Sequence, residues 1–256
     1  MVELPLACDS IAMDDSTVVE TEVIVKPNTP KASAPLKLRG PKSLKVDTEF
    51  LLDAAQRVFS KSGMSGASIR AIARAAGCDP ALIYYHFESK EAMFKALLDR
   101  KMPPIAMELE ILADPSNIEP TSLRLWRATR VYRRHFGQDS GFRAVLRGQI
   151  LNGTEGTKDA IARHIQRAAK CNWAIIDQGM ERGHLRADLH VRMTGFFLVR
   201  MFMEIFDLVP AIAERIANMP ANQALVMAER AWFELFWRGV AAHPAKPLPP
   251  DLFSVE

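Results

Sequence analysis

From about residue 46 almost to the end of this 256-residue chain, apolar residues return with the helical period, and no run alternates as a strand does. An all-α fold is the expectation. Phe50, Leu51, Ala54, Ala55, Val58 and Phe59 make the first apolar stripe, and Gly63 is placed to end that helix. Ser68 is an N-cap for a second helix with Ile69, Ile72, Ala73 and Ala76 inward, and Gly77 ends it. Asp79-Pro80 starts a short third helix carrying Ile83 and Phe87. Ser89 caps a fourth, with Met93, Phe94, Leu97 and Leu98 apolar, which Pro103-Pro104 should kink or interrupt. Further helices are expected near 121–136, 140–151, 157–182, 188–208 and 221–241.

Several function classes drop out on composition. Cys8, Cys78 and Cys171 are odd in number and form no CxxC pair, against a disulfide framework or zinc module and in keeping with a reducing cytoplasm. A signal peptide and a membrane span are not expected: the richest apolar stretch, Gly195 to Val209, is broken by Arg200, Glu204 and Asp207. No GxSxG elbow or glycine-rich phosphate loop is present, and His135, His164, His184 and His190 have no ligand spacing. The expectation is no enzyme, no metal and no cofactor. Net charge is +3, too small to name a partner, but its distribution is uneven. Residues 1–25 carry six acidic side chains and no basic one, and residues 26–45 carry six basic ones and no acidic one. This stretch reads as a disordered tail. Its basic half is either an arm that follows DNA phosphates or a solubilising linker.

Two short helices joined tightly at Gly77 and backed by a longer one make a helix-turn-helix, whose second helix enters the DNA major groove while the first braces on the backbone. The run Ser68-Ile69-Arg70-Ala71-Ile72-Ala73-Arg74-Ala75-Ala76-Gly77, then Ile83-Tyr84-Tyr85-His86-Phe87, then Ser89-Lys90-Glu91, resembles the TetR family of bacterial regulators. The resemblance covers roughly residues 44–104; beyond that it is one of layout and length. It implies that Ser68 caps the second helix and reaches a phosphate, that Arg70 meets bases or backbone, and that Tyr84 and Lys90 contact phosphate. It also implies that Asp79, Ala81, Tyr85 and His86 line the recognition helix. Each has a plainer reading: Tyr84 as a half-buried core aromatic, His86 as a packing residue, Arg70 and Lys90 as solvated charges. Ala81-Leu82 stands where the family usually has Gly-Thr, which removes a hydroxyl and makes thymine methyls plausible contacts.

The body should dimerise and sense. The last helix has two apolar stripes, one of Leu225, Ala228, Trp232, Leu235 and Phe236 and one of Val226, Phe233, Trp237 and Val240, so it should bury two faces. With Phe197, Met201 and Ile205 of the preceding helix, residues Leu225, Trp232, Phe233, Phe236 and Trp237 are the expected homodimer contacts. A dimer also suits a pseudo-palindromic operator. Met107, Trp126, Phe136, Phe142, Leu146, Trp173, Ile176 and Met180 are candidates to line a pocket for a small apolar or amphipathic effector. Taken one at a time, each is better accounted for by an ordinary packed core. The expected division is a tail (1–45), a DNA-binding domain (46–104), a regulatory and dimerisation domain (105–243) and a C-terminal tail (244–256). The expected function is a cytoplasmic, nucleoid-associated regulator, a repressor released by ligand. The alternative is a DNA-binding regulator without a small-molecule ligand, controlled by a protein partner or acting architecturally.

Overall fold

The computed structural model describes residues 47–216 and 218–254. The expectations placed on residues 1–45 lie outside them. Among the described residues the chain forms nine α-helices and no strand. They are α1 (Thr48–Gly66), α2 (Ile69–Ala76), α3 (Pro80–His86), α4 (Lys90–Ala113), α5 (Thr121–Phe136), α6 (Ser140–Asn152), α7 (Glu155–Glu181), α8 (Val191–Ile216) and α9 (Ala221–Val240). A 3-10 turn follows at Leu252–Ser254. Among the described residues no helix is long and apolar enough to cross a membrane.

The helix starts follow the caps. Ser68 Oγ accepts from the Ala71 amide at 3.1 Å, Asp79 Oδ1 from Ala81 at 2.7 Å, and Ser89 Oγ from Ala92 at 3.0 Å. Each satisfies one amide left over by the helix start. Gly63 departs from helical geometry at φ 65°, ψ 173°, as its expected role requires, although one further turn carries α1 to Gly66.

Two helices run through prolines, the first of them at Pro103-Pro104, where a kink or interruption is expected. α4 continues across Pro103 and Pro104. Each proline frees a carbonyl one turn back, at Asp99 and Arg100. Asp99 is exposed, so water can serve its carbonyl, while Met102, Ile105, Leu109 and Leu112 are buried and hold the second half of the helix in place. α4 therefore joins the helix-turn-helix to the body without a break, and the expected domain division at 104 falls inside it. α8 runs past Pro210 to Ile216, beyond the expected end near 208. Pro210 cannot donate to the Phe206 carbonyl, and the Arg143 Nη2 takes that carbonyl instead, at 3.2 Å. Arg143 is 6% exposed. It also donates to Asp207 at 2.7 Å, to the Gly137 carbonyl at 3.1 Å and to the Phe136 carbonyl, tying α5, α6 and α8 together.

In the segment after residue 243, Leu248, Leu252 and Phe253 pack on the core. Leu252 is 2% exposed, and the Phe253 ring meets Trp126 edge-on at 5.0 Å.

Candidate nucleic-acid interface

α2 and α3 are set by one left-handed residue. Gly77 sits at φ 62°, ψ 31°, and its amide reaches back to the Arg74 carbonyl at 3.2 Å while the Cys78 amide takes Ala73 at 3.0 Å. A side chain at this φ costs about 1–2 kcal/mol. We expect Gly77→Ala to lower unfolding free energy by that amount in urea melts, with a matching loss of DNA affinity as the angle between α2 and α3 opens.

Beneath the turn, Ile72, Ala73, Ile83 and Phe87 are buried with Leu51, Phe59, Phe94 and Leu97. Phe59 and Phe94 pack edge-to-face at 6.5 Å. This core leaves one face of α3 outward. Ala81, Tyr84, Tyr85 and His86 are all exposed, Tyr84 at 60% and Tyr85 at 83%. The plainer reading of Tyr84 as a half-buried core residue does not fit that exposure. The Tyr85 and His86 rings stand perpendicular at 5.1 Å. Ser68, Arg70 and Asp79 are exposed, with the Ser68 and Asp79 oxygens already engaged as caps.

Lys90 is only half-exposed. Its Nζ donates to the Met64 carbonyl at 2.7 Å and the Ala67 carbonyl at 3.4 Å, bracing the α1–α2 connection. Arg74 lies one turn from Arg70 and is exposed, and Arg57 reaches from α1 to the Ala75 carbonyl at 3.3 Å. Neither was singled out in the sequence; the i, i+4 spacing of Arg70 and Arg74 was the available signal.

The candidate pocket residues fall in different environments. Met107 is 57% exposed. Trp126 is buried against Phe233 and Phe253. Phe136 and Phe142 stack face to face at 6.0 Å with Leu146 buried nearby in the same core cluster. Ile176 is fully buried and Met180 partly so. Trp173 edges an open groove of about 640 Å³ along α7, lined also by Ala162, Ile165, Gln166 and Ala169. Arg192 lies over the Trp173 ring at 5.4 Å.

Two of the candidate dimer residues belong to the chain's own core. Phe233 is 0% exposed and Ile205 9%, leaving a partner little or nothing to touch. Phe233 packs inward on Trp126, because the two stripes of α9 have the same period and only the fold decides which is covered. Leu225, Trp232, Phe236 and Trp237 are half-buried, with Trp232 stacked on Phe236 at 5.4 Å. Phe197 and Met201 are about half exposed, as are Phe196 and Met227, and Leu235 is 72% exposed.

His135 pairs with Glu108, His164 with Asp99 and His184 with the Thr121 hydroxyl. Among the described residues no three His, Cys, Asp or Glu side chains gather as a metal site would need.

Residues 51–97 match the family model for the N-terminal domain of bacterial regulatory proteins of the tetR family. The HTH-type transcriptional regulator UidR of Escherichia coli is 40% identical over 48 residues, 19% of this chain and 24% of its own length. The A-factor receptor protein of Streptomyces griseus is 37% identical over 160 residues, 60% of this chain and 52% of its own. The chain thus spans between a quarter and about half the length of these relatives. Among solved structures, the transcriptional regulator FadR from Bacillus subtilis in complex with stearoyl-CoA superposes with a TM-score of 0.63 at 18% identity, over 75% of this chain and 99% of its own. The ketosteroid transcriptional regulator KstR2 of Mycobacterium tuberculosis gives 0.58 at 19% identity, over 76% and 94%. At these identities the likeness is one of fold.

Proposed function

We propose that this chain, which belongs to the TetR family of bacterial regulatory proteins, binds a pseudo-palindromic operator as a homodimer and is a repressor released by a small apolar or amphipathic ligand. The observation that carries the DNA-binding part is the exposed α3 row of Tyr84, Tyr85 and His86 on a turn held by three caps and Gly77. In this reading Tyr84 and Arg70 meet the phosphates, with Ser68 and Lys90 at the edge of the contact. Ala81, Tyr85 and His86 face base edges, with Asp79 at their start. Lys90 acts mainly by fixing the α1–α2 connection and keeps one donor for a phosphate.

The apolar α8–α9 surface supports the dimer. Phe197, Met201 and Leu235 would sit on a partner copy, and the half-buried Leu225, Trp232, Phe236 and Trp237 would close the seam. Two α3 helices would then be held at a separation set by α8 and α9. Replacing Phe197 and Met201 together by Glu is expected to give a folded monomer in sedimentation equilibrium, with operator affinity down at least a hundredfold. A dimeric double variant would remove these residues from the interface. Neighbours that bind acyl-CoA or carry a ketosteroid name favour a ligand for the body, although the effector here is read only as apolar or amphipathic.

A signal from the body has a physical route. Asp139, the cap of α6, accepts from Gln56 of α1 at 2.8 Å and pairs with Lys101 of α4 at 2.5 Å while accepting from the Phe142 amide at 2.9 Å. A Cβ on Gly141 would fall on the Ser60 hydroxyl, so α6 lies directly on α1. A shift of α6 must therefore move α1 and α4 together. Burial works against the Asp139 charge, but Lys101, the Phe142 amide and Gln56 outweigh it and hold the carboxyl below the ordinary 3.8. A carboxyl with a depressed folded pKa stabilises the fold above its unfolded value, and that stability is lost as pH falls below about 3.8. Asp139→Asn is expected to flatten the acid limb of the stability–pH curve; an unchanged acid limb would contradict the coupling.

A further inference from the structure

We propose that the operator is read through the 5-methyl groups of its thymines, with Ala81 and Tyr85 as the residues that meet them. This rests on the reading of α3 as the helix that enters the major groove. Ile83 is fully buried and Phe87 nearly so, which fixes the side of α3 that faces its own domain. At about 100° per residue, the positions two before and two after Ile83 lie on the far side of the helix. Those positions are Ala81 and Tyr85, one turn apart and both exposed, Tyr85 at 83%. They form the ridge that reaches deepest when α3 lies in a groove.

That ridge has little to offer a base by hydrogen bonding. Guanine is told from the other bases by an arginine fork or a lysine, and adenine by the amide of an asparagine or glutamine. From Asp79 to Phe87 the chain has none of these. Cytosine is met by a carboxylate, and Asp79 Oδ1 is turned back on the Ala81 amide at 2.7 Å as the cap of α3. His86 brings single ring nitrogens rather than a fork, and its ring stands perpendicular to that of Tyr85 at 5.1 Å. Leu82, half-buried, carries no polar group. The exposed cations Arg70 and Arg74 lie on α2, the helix that braces on the backbone.

What the ridge does offer is a methyl group and an aromatic ring. Thymine alone among the bases presents a methyl group in the major groove, and apolar side chains such as alanine are its partners. The single side-chain carbon of Ala81 also keeps the helix axis close to the base edges, so the thymine methyl loses its water on contact. The Tyr85 ring, one turn on, covers a second methyl. A methyl group taken out of water is worth about fourfold in affinity, and the same contact in both half-sites of an operator about fifteenfold.

Deoxyuridine tests this, because it lacks only the methyl and pairs with adenine as thymine does. The full-length protein selects duplexes from a random-sequence library, and the selected duplex is then made with deoxyuridine at one symmetric pair of thymines at a time. At one such pair, binding in anisotropy titrations is expected to weaken about fifteenfold, and Ala81→Gly should cut that ratio to about fivefold or less. 5-Methylcytosine at the same pair keeps the methyl while exchanging the thymine O4 acceptor for an N4 donor. It should bind at least about threefold more tightly than cytosine there. Deoxyuridine duplexes that all bind within about twofold of the thymine duplex would overturn the proposal. So would a ratio untouched in Ala81→Gly, or no gain from the methyl on cytosine. If the Tyr84 and Tyr85 double variant still loses operator affinity in that case, α3 remains the reading helix and only the methyl contact falls. A selected pool without a common sequence takes both readings away.

Discussion

Replacing Tyr84 and Tyr85 together by Ala is expected to lower operator affinity about a hundredfold while the melting temperature stays within about 2 °C. Both side chains are largely in solvent, so their loss takes little from the core, and exposed substitutions of this kind change stability by less than about 0.5 kcal/mol. In the complex, a tyrosine hydroxyl on a phosphate is a charge-assisted hydrogen bond worth about 1.5–3 kcal/mol, roughly tenfold or more in affinity. The two residues should separate. Tyr84→Phe removes only the hydroxyl and should weaken all duplexes about equally, because phosphate contacts carry no sequence information. Tyr85→Ala should relax base preference, since Tyr85 stands further out beside His86. Anisotropy titrations against one operator and several single-base variants measure both. A double variant that binds as the unsubstituted chain does would show that α3 is not the reading helix.

The second large effect is on stability. Arg143→Met is expected to cost roughly 3 kcal/mol, since it strips partners from the Phe136, Gly137 and Phe206 carbonyls in a place where water hardly reaches. The Phe206 carbonyl is the telling one, because Pro210 has no amide to offer it. In a Pro210→Ala background the helix can supply that amide itself. Part of the Arg143→Met cost, about 1 kcal/mol, should then disappear, a coupling that a double-mutant cycle in urea reads directly. Strict additivity of the two substitutions would show that Arg143 does not stand in for the missing helix bond.

These two sites also mark what the sequence discloses and what it withholds. The helix-turn-helix was legible because its determinants are local. Ser68, Asp79 and Ser89 cap within three residues, and Gly77 takes the left-handed turn at its own position. α5 begins at Thr121 and ends at Phe136 as its periodicity predicts. α8 outruns its expected end near 208 because what carries it past Pro210 is an arginine 67 residues earlier in the chain. α4 outlasts two prolines because burial on both sides of them outweighs two lost backbone bonds. Phe233 looked like an interface residue because helical spacing cannot tell a face covered by the chain itself from one left for a partner. The phosphate role of Lys90 comes from the family resemblance, and the carbonyls its amine takes, at Met64 and Ala67, come together only in the fold. Phe253 was placed in a tail because Pro244 to Pro250 break every periodic pattern around it.

The reading of the chain as an operator-binding homodimer is tested most directly by selecting duplexes from a random-sequence library with the full-length protein at moderate salt. Two inverted half-sites separated by about one helical turn should be enriched, and α3 variants at Tyr84 and Tyr85 should fail to enrich them. A selected pool with no common sequence, or a single half-site bound by one copy of the chain, would contradict it.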